Sequence, residues 1–279
     1  MDHAQAVHLP PGRVRLSYTG PNDRLGKRLV IRTIERLSGG AEIQRLYDGL
    51  QDYSENDLWG AALEALEIGL QLDGVSLDEV PRQGPVVLLA NHPYGVVDGL
   101  ALSYIASQIR QEFCVLTNSA LCVDQRTERR LLPISFDEGR AAMRANIETK
   151  RRALAALARD ECVAIFPSGA VATAEKVFGP AIDLEWRTFV AKLVRSSEAT
   201  VVPLFFHGQN GPLFQLASRL SQTLRLSLLL HEVNNKRGRA LRVTVGEPVA
   251  YGDLRQIRGR EELTEHLRRT VMALESPAS

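Results

Sequence analysis

The hydrophobic pattern of the chain changes period near residue 85. In DRLGKRLVIRTIERL, residues 23–37, Leu25, Leu29, Ile34 and Leu37 recur close to helical spacing. Residues 41–72 read as two more helices, the second being DLWGAALEALEIGLQL. Beyond PRQGP, short apolar runs alternate with longer amphipathic segments. That alternation predicts strands over 86–90, 113–117, 162–166, 200–206, 225–233 and 241–245. Between and after them it predicts helices over about 99–110, 138–159, 184–196, 212–224 and 261–274.

Apolar strands interleaved with helices need cover on both sides. The expected fold is therefore α/β: a central mostly parallel or mixed sheet with helices on both faces, preceded by N-terminal helices. The expected organisation is a flexible leader over 1–22, punctuated by Pro and Gly, and then a helical segment over 23–80. An α/β domain over 81–279 packs as one unit with that segment.

Composition narrows the class. With 279 residues, 44% hydrophobic and 24% charged, the chain fits a soluble globular protein with a sizeable core. A net charge of +1 gives no global field for nucleic acid. Cys114, Cys122 and Cys162 lack CxxC spacing, which argues against a disulfide framework or a thiolate zinc site and for a reducing cytoplasm. The first residues carry no apolar signal core, and no apolar run approaches the ~20 residues that span a bilayer. Work on lipids would then proceed from the inner surface of the cell membrane, with no transmembrane helix. The first helix carries Arg24, Lys27, Arg28, Arg32 and Arg36 against two acidic residues. Such a face is either solvated, with the helix packed on its own domain, or lies in an anionic lipid interface.

In open α/β sheets, ligands collect at the carboxyl ends of strands. Three segments fall there: NHPYGVVDG from Asn91, FPSGA from Phe166 and FFHGQNG from Phe205. His92 and Asp98 cannot share a helix face, since six residues advance a helix by roughly 240°. A turn must bring them together, and Pro93 and Gly95 supply one. A carboxylate beside an imidazole fixes its tautomer and suits a general base that takes a proton from a hydroxyl or amine. Taken alone, the pair reads equally as an N-cap aspartate and a satisfied loop histidine. Ser168 does not make a nucleophile elbow, because G-x-S-x-G requires glycine where Phe166 stands.

These residues carry a resemblance. NHPYGVVDG, FPSGA, the segment around Trp186, VVPLFFHGQN and NNKRGRALRVTVGEPV occur in the order found in the glycerolipid acyltransferase superfamily. The form NHPxGxxDG is similar to its bacterial branch of lysophospholipid acyltransferases, often labelled hemolysins. The resemblance covers roughly residues 25 to 275 and implies catalysis by His92 and Asp98. At the substrate it implies Asn91, Gly95, Arg140, Arg144, Ser168, Gly169 and Pro203.

Three departures stand out. Five residues separate His92 from Asp98 where the superfamily has four, Ser168 replaces the glutamate of FPEG, and Glu138 replaces the arginine that holds a substrate phosphate. Arg140 and Arg144, four apart on one helical face, are the nearest substitutes. His207 and Asn210 follow Pro203 with less to assign them to the pocket, and His231 reads as a strand or turn residue. The implied reaction moves an acyl group from acyl-CoA or acyl-carrier protein to the hydroxyl of a lysophospholipid or a lyso-aminolipid such as lyso-ornithine lipid. It needs no metal or bound cofactor. Two other classes remain at this point: a non-catalytic membrane- or lipid-binding protein, and a hemolysin-like pore former. The latter predicts long amphipathic hairpins or an exported chain, and the sequence has neither feature.

Overall fold

The computed structural model describes Leu16 and residues 25–37, 39–122, 124–136, 139–220 and 222–275; the expected leader lies, Leu16 apart, outside the described residues. Helices α1 (Leu25–Leu37), α2 (Gly40–Asp48) and α3 (Leu58–Ala65) precede β1 (Gly69–Gly74) and β2 (Val86–Ala90). Next come α4 (Val96–Ile109), β3 (Phe113–Asn118), β4 (Leu131–Ile134), α5 (Arg140–Leu157) and β5 (Cys162–Ile165). A small hairpin of β6 (Thr173–Ala174) and β7 (Ala181–Ile182) leads to α6 (Phe189–Ser197) and β8 (Thr200–Phe206). The chain continues through α7 (Pro212–Leu220), α8 (Gln222–Ser227), α9 (Leu229–Lys236), β9 (Ala240–Val245), α10 (Tyr251–Leu254) and α11 (Arg260–Met272).

Seven strands form one sheet in the order β1-β9-β8-β2-β5-β3-β4. β9 runs antiparallel to β8, and every other neighbouring pair is parallel. β2 lies at the centre, and its period-2 alternation divides the core. Val86, Leu88 and Ala90 pack with α4 and α9 on one face, while Val87 and Leu89 pack with α5, α6 and α11 on the other. All five are fully buried. Each buried Val or Leu contributes about 1.5–3 kcal/mol, and this fixes which residue leaves the end of β2 toward which face. The expected α/β fold, with a mostly parallel sheet between helical layers, is what forms.

The three cysteines are free, and burial pushes Cys114 and Cys122 up to about 12, so both are thiols at neutral pH. Among the described residues, no helix is long and apolar enough to cross a membrane.

Several elements differ from the expectation. Residues 69–72 form an edge strand instead of ending a helix: Glu67 turns to φ 55, and β1 then pairs with β9 from Gly69. The Leu spacing suits a helix there, but sheet pairing overrides it. β4 was hidden by Pro133, whose missing N–H is tolerated because β4 is the other edge. Residues expected as a strand over 225–233 are helical, so His231 lies on a helix. That run is leucine with no β-branched residue before Val233, and a short apolar run of this kind does not separate buried helix from buried strand. Finally, α4 begins at Val96, not near Gly99, which places Asp98 within its first turn.

Candidate active site

The site is built where β2 ends. Asn91 clasps the neighbouring strand: its side-chain amide donates to the Phe206 carbonyl at 2.9 Å and accepts the Phe206 N–H at 2.7 Å. The next residue is His92. Its N–H donates to Oδ1 of Asp183 at 3.2 Å, and its carbonyl accepts the Ala172 N–H at 2.7 Å. The imidazole stacks on Phe166, with centroids 4.0 Å apart and planes at 22°. Backbone and ring are therefore both held before any substrate arrives.

Gly95 makes the return. At φ 98 it occupies a conformation that side-chain-bearing residues avoid, and an added Cβ would meet Leu229 at 2.8 Å. The turn lets Asp98 reach back across the start of α4. Its Oδ2 accepts the Tyr94 N–H at 2.8 Å and lies 3.1 Å from Nδ1 of His92. Asp98 is wholly buried and His92 is 15% exposed at its side chain. With Nδ1 donating to the carboxylate, Nε2 is the ring atom left for another partner.

Other buried polar groups hold this frame. Asp183 accepts the indole N–H of Trp186 at 2.8 Å on the oxygen that His92 does not use. Burial pushes the Asp183 carboxyl above its ordinary range, against the lowering effect of Trp186 and His92. Asn210 donates to the Tyr94 carbonyl at 3.1 Å, and the Tyr94 hydroxyl donates to the carbonyl of His207.

His92 opens onto a cavity of about 860 Å³. Gly95, Phe166, Gly169 and Ala170 form its wall beside the histidine. The lining from α2, α3 and α4 is mostly apolar, including Leu46, Trp59, Ala62 and Leu100, whereas α5, α6 and α8 contribute Lys150, Lys192 and Arg225. The volume lies within the range of small-molecule sites.

The sequence-marked residues separate into three groups. His92, Gly95 and Gly169 line the cavity, with Asp98 one hydrogen bond behind them. Asn91, Ser168 and Pro203 are buried and do not line it. Ser168 donates its hydroxyl to the Ala170 carbonyl at 3.0 Å, and the Gly169 N–H is taken by the Phe166 carbonyl at 3.0 Å. Pro203 sits within β8, in register with Leu89. Arg140 and Arg144 are exposed on α5 and outside the lining. Asp137 and Glu138 lie outside the described residues. Nε2 of His207 lies 2.8 Å from Thr244 Oγ1, so that histidine is engaged within the sheet. Sequence reasoning missed Asp183 and Arg225. The first could have been found from the Asp-x-x-Trp spacing at 183–186; the second lies in the segment misread as a strand.

A model of the family described as Acyltransferase matches residues 29–277. A lyso-glycine lipid O-acyltransferase of Bacteroides thetaiotaomicron is 23% identical over 255 residues, covering 88% of this chain and 90% of that protein. One from Phocaeicola vulgatus is 26% identical over 203 residues, 70% of this chain and 69% of that one. The crystal structure of the 1-acyl-sn-glycerophosphate acyltransferase PlsC from Thermotoga maritima shares the fold. The TM-score is 0.52 at 14% identity, over 89% of this chain and 92% of that chain.

Proposed function

Because this chain belongs to the acyltransferase family, we propose that it moves a fatty acyl group from a thioester donor, acyl-CoA or acyl-carrier protein, to the free hydroxyl of a lysolipid. The observation that carries this reading is His92 Nδ1 bonded to buried Asp98, with the ring on the wall of a largely apolar cavity. Nε2 takes the hydroxyl proton as the oxygen attacks the thioester carbonyl, forming the C–O bond. The C–S bond then breaks, and the same imidazole returns the proton to the departing thiolate. The products are an ester and a free thiol. First-turn N–H groups of α4, which starts beside Gly95, are candidate donors to the developing oxyanion. No covalent enzyme intermediate is required.

The apolar lining from α2, α3 and α4 supports accommodation of the acyl chain. The acceptor we favour is a lyso-aminolipid, as in the names of the two curated relatives, over a lysoglycerophosphate.

We also place the reaction at a membrane surface. Leu213, Leu216 and Leu220 are exposed along one face of α7, and Phe178 and Ile182 are exposed on the adjoining hairpin, tied to α7 through Gln215 and the Ala174 N–H at 2.9 Å. Arg219 on the same helix adds charge complementary to anionic lipid.

Lipid mass spectrometry after expression of the wild type and of His92→Ala tests the proposal. Acylated lipid should accumulate with the former only. Equal accumulation would remove His92 from the mechanism, and lipid binding without any acylation would favour a non-catalytic protein.

A further inference from the structure

The cavity holds a cation with no hydrogen bond or ion pair to any of the described residues. Arg225 lies on α8, half-buried, and lines the same cavity as His92. Several other buried or half-buried arginines have carboxylates, Arg126 with Asp124, Arg130 with Glu55 and Glu112, and Arg237 with Glu42, while Arg110 and Arg195 donate to backbone carbonyls. Arg225 has no such partner among the described residues. Desolvation lowers its affinity for the proton, and no neighbouring charge offsets that effect. Taking an unpaired cation out of water costs free energy, so its retention calls for an anion that arrives with a ligand.

Its position suits the acceptor. The helical path runs on from α8 to α9, with the Leu228 N–H bonded to the Leu224 carbonyl at 3.1 Å. Leu229, one turn beyond Arg225, is the residue an added Cβ on Gly95 would strike at 2.8 Å. Arg225 is therefore about 6 Å along a helix axis from a side chain packed on the turn that presents His92. The exposed cations Arg187 and Lys192 at the same cavity are solvated and suit a donor's outer phosphates no better than any surface charge. Arg140 and Arg144, the substitutes expected from sequence, lie outside the lining.

We propose that Arg225 is the acceptor-binding cation: its guanidinium fork takes two oxygens of the anionic headgroup, carboxylate or phosphate, on the lysolipid whose hydroxyl faces His92. This rests on the acyl-transfer reading above and deepens it. A glycine joined to a lipid through its amine keeps a free carboxylate, which fits that fork; a lysophosphatidate would present the same chemistry through its phosphate.

The test is equilibrium binding to the His92→Ala protein, in neutral detergent, with and without Arg225→Gln. One pair of probes is N-palmitoylglycine and its amide; the other is palmitoyl lysophosphatidate and monopalmitoylglycerol. The protein with Arg225 should prefer the charged member of at least one pair by about tenfold, and Arg225→Gln should erase that preference while leaving the neutral probe unchanged. The pair that shows it identifies the oxyanion. Arg225→Lys should keep part of the preference. Since Arg225 has no partner among the described residues, Arg225→Gln should not lower Tm. No preference in the parent, or equal weakening of charged and neutral probes, overturns the proposal. Charge discrimination without turnover in the wild type would instead discard the acyl-transfer reading and leave Arg225 as an anion site.

Discussion

Oδ2 of Asp98 lies 3.1 Å from Nδ1 of His92 and also accepts the Tyr94 N–H, so one carboxylate oxygen holds both the imidazole and the turn that presents it. Its other oxygen is buried with no hydrogen-bond partner among the described residues. In Asp98→Asn the amide oxygen can keep both bonds, while the NH2 group occupies the empty side without an acceptor. The variant therefore separates charge from geometry. It should lose about 100-fold in kcat and about 1–3 kcal/mol of stability, with Asp98→Ala losing more activity. Steady-state kinetics and urea denaturation on both variants measure this; unchanged kcat in Asp98→Asn would show that the negative charge is dispensable.

Asn91 is expected to act through the sheet. Asn91→Ala leaves the N–H and carbonyl of Phe206 unpaired in a buried strand end, a cost of about 2–4 kcal/mol. Denaturation should detect that loss, with activity falling because His92 follows directly. Native stability combined with a raised acceptor KM would instead make Asn91 a substrate ligand.

Gly95→Ala combines a positive φ with a contact at 2.8 Å to a Leu229 methyl. The leucine can shift but the backbone angle cannot, so about 1–3 kcal/mol of destabilisation is expected. Acyl transfer should fall more than stability alone explains, because the turn sets the distance from His92 to Asp98. A fully active, fully stable Gly95→Ala protein would contradict this account of the turn.

Asp183 gives a pH signature. Burial raises its folded value above the ordinary 3.8, so the folded state binds its proton more tightly than the unfolded state does. That contribution is present in full below the unfolded value and is lost as pH rises through the folded one, by at most ~1.4 kcal/mol per pH unit. Asp183→Asn removes the slope. The stability difference, variant minus wild type, should therefore grow from pH 4 upward until Asp183 is fully ionised. Urea denaturation across pH 4 to 7 reads it directly, and a flat difference would mean the carboxyl is not perturbed in the fold.

The short apolar runs at 86–90, 162–166 and 200–206 are legible because both faces of each strand are buried, and they locate the strand exits that form the site. His92 and Asp98 were legible as a pair because Pro93 and Gly95 encode a turn. What was hidden depends on partners far along the chain. β1 and β4 exist through pairing at the two sheet edges, where local periodicity is weakest. Arg225 was obscured because RLSLLL reads as a strand, and only the packing of α8 and α9 shows which residues line the cavity. Asp183 reaches His92 through a backbone N–H, a contact that leaves no signature at position 92 itself.

Single-turnover transfer of a labelled acyl group to lysolipid by purified wild type and His92→Ala tests the central claim most directly. With Tm and donor binding unchanged, the variant should be slower by at least about 1,000-fold at neutral pH. A variant that transfers the acyl group within about tenfold of the wild-type rate would contradict a proton taken by His92.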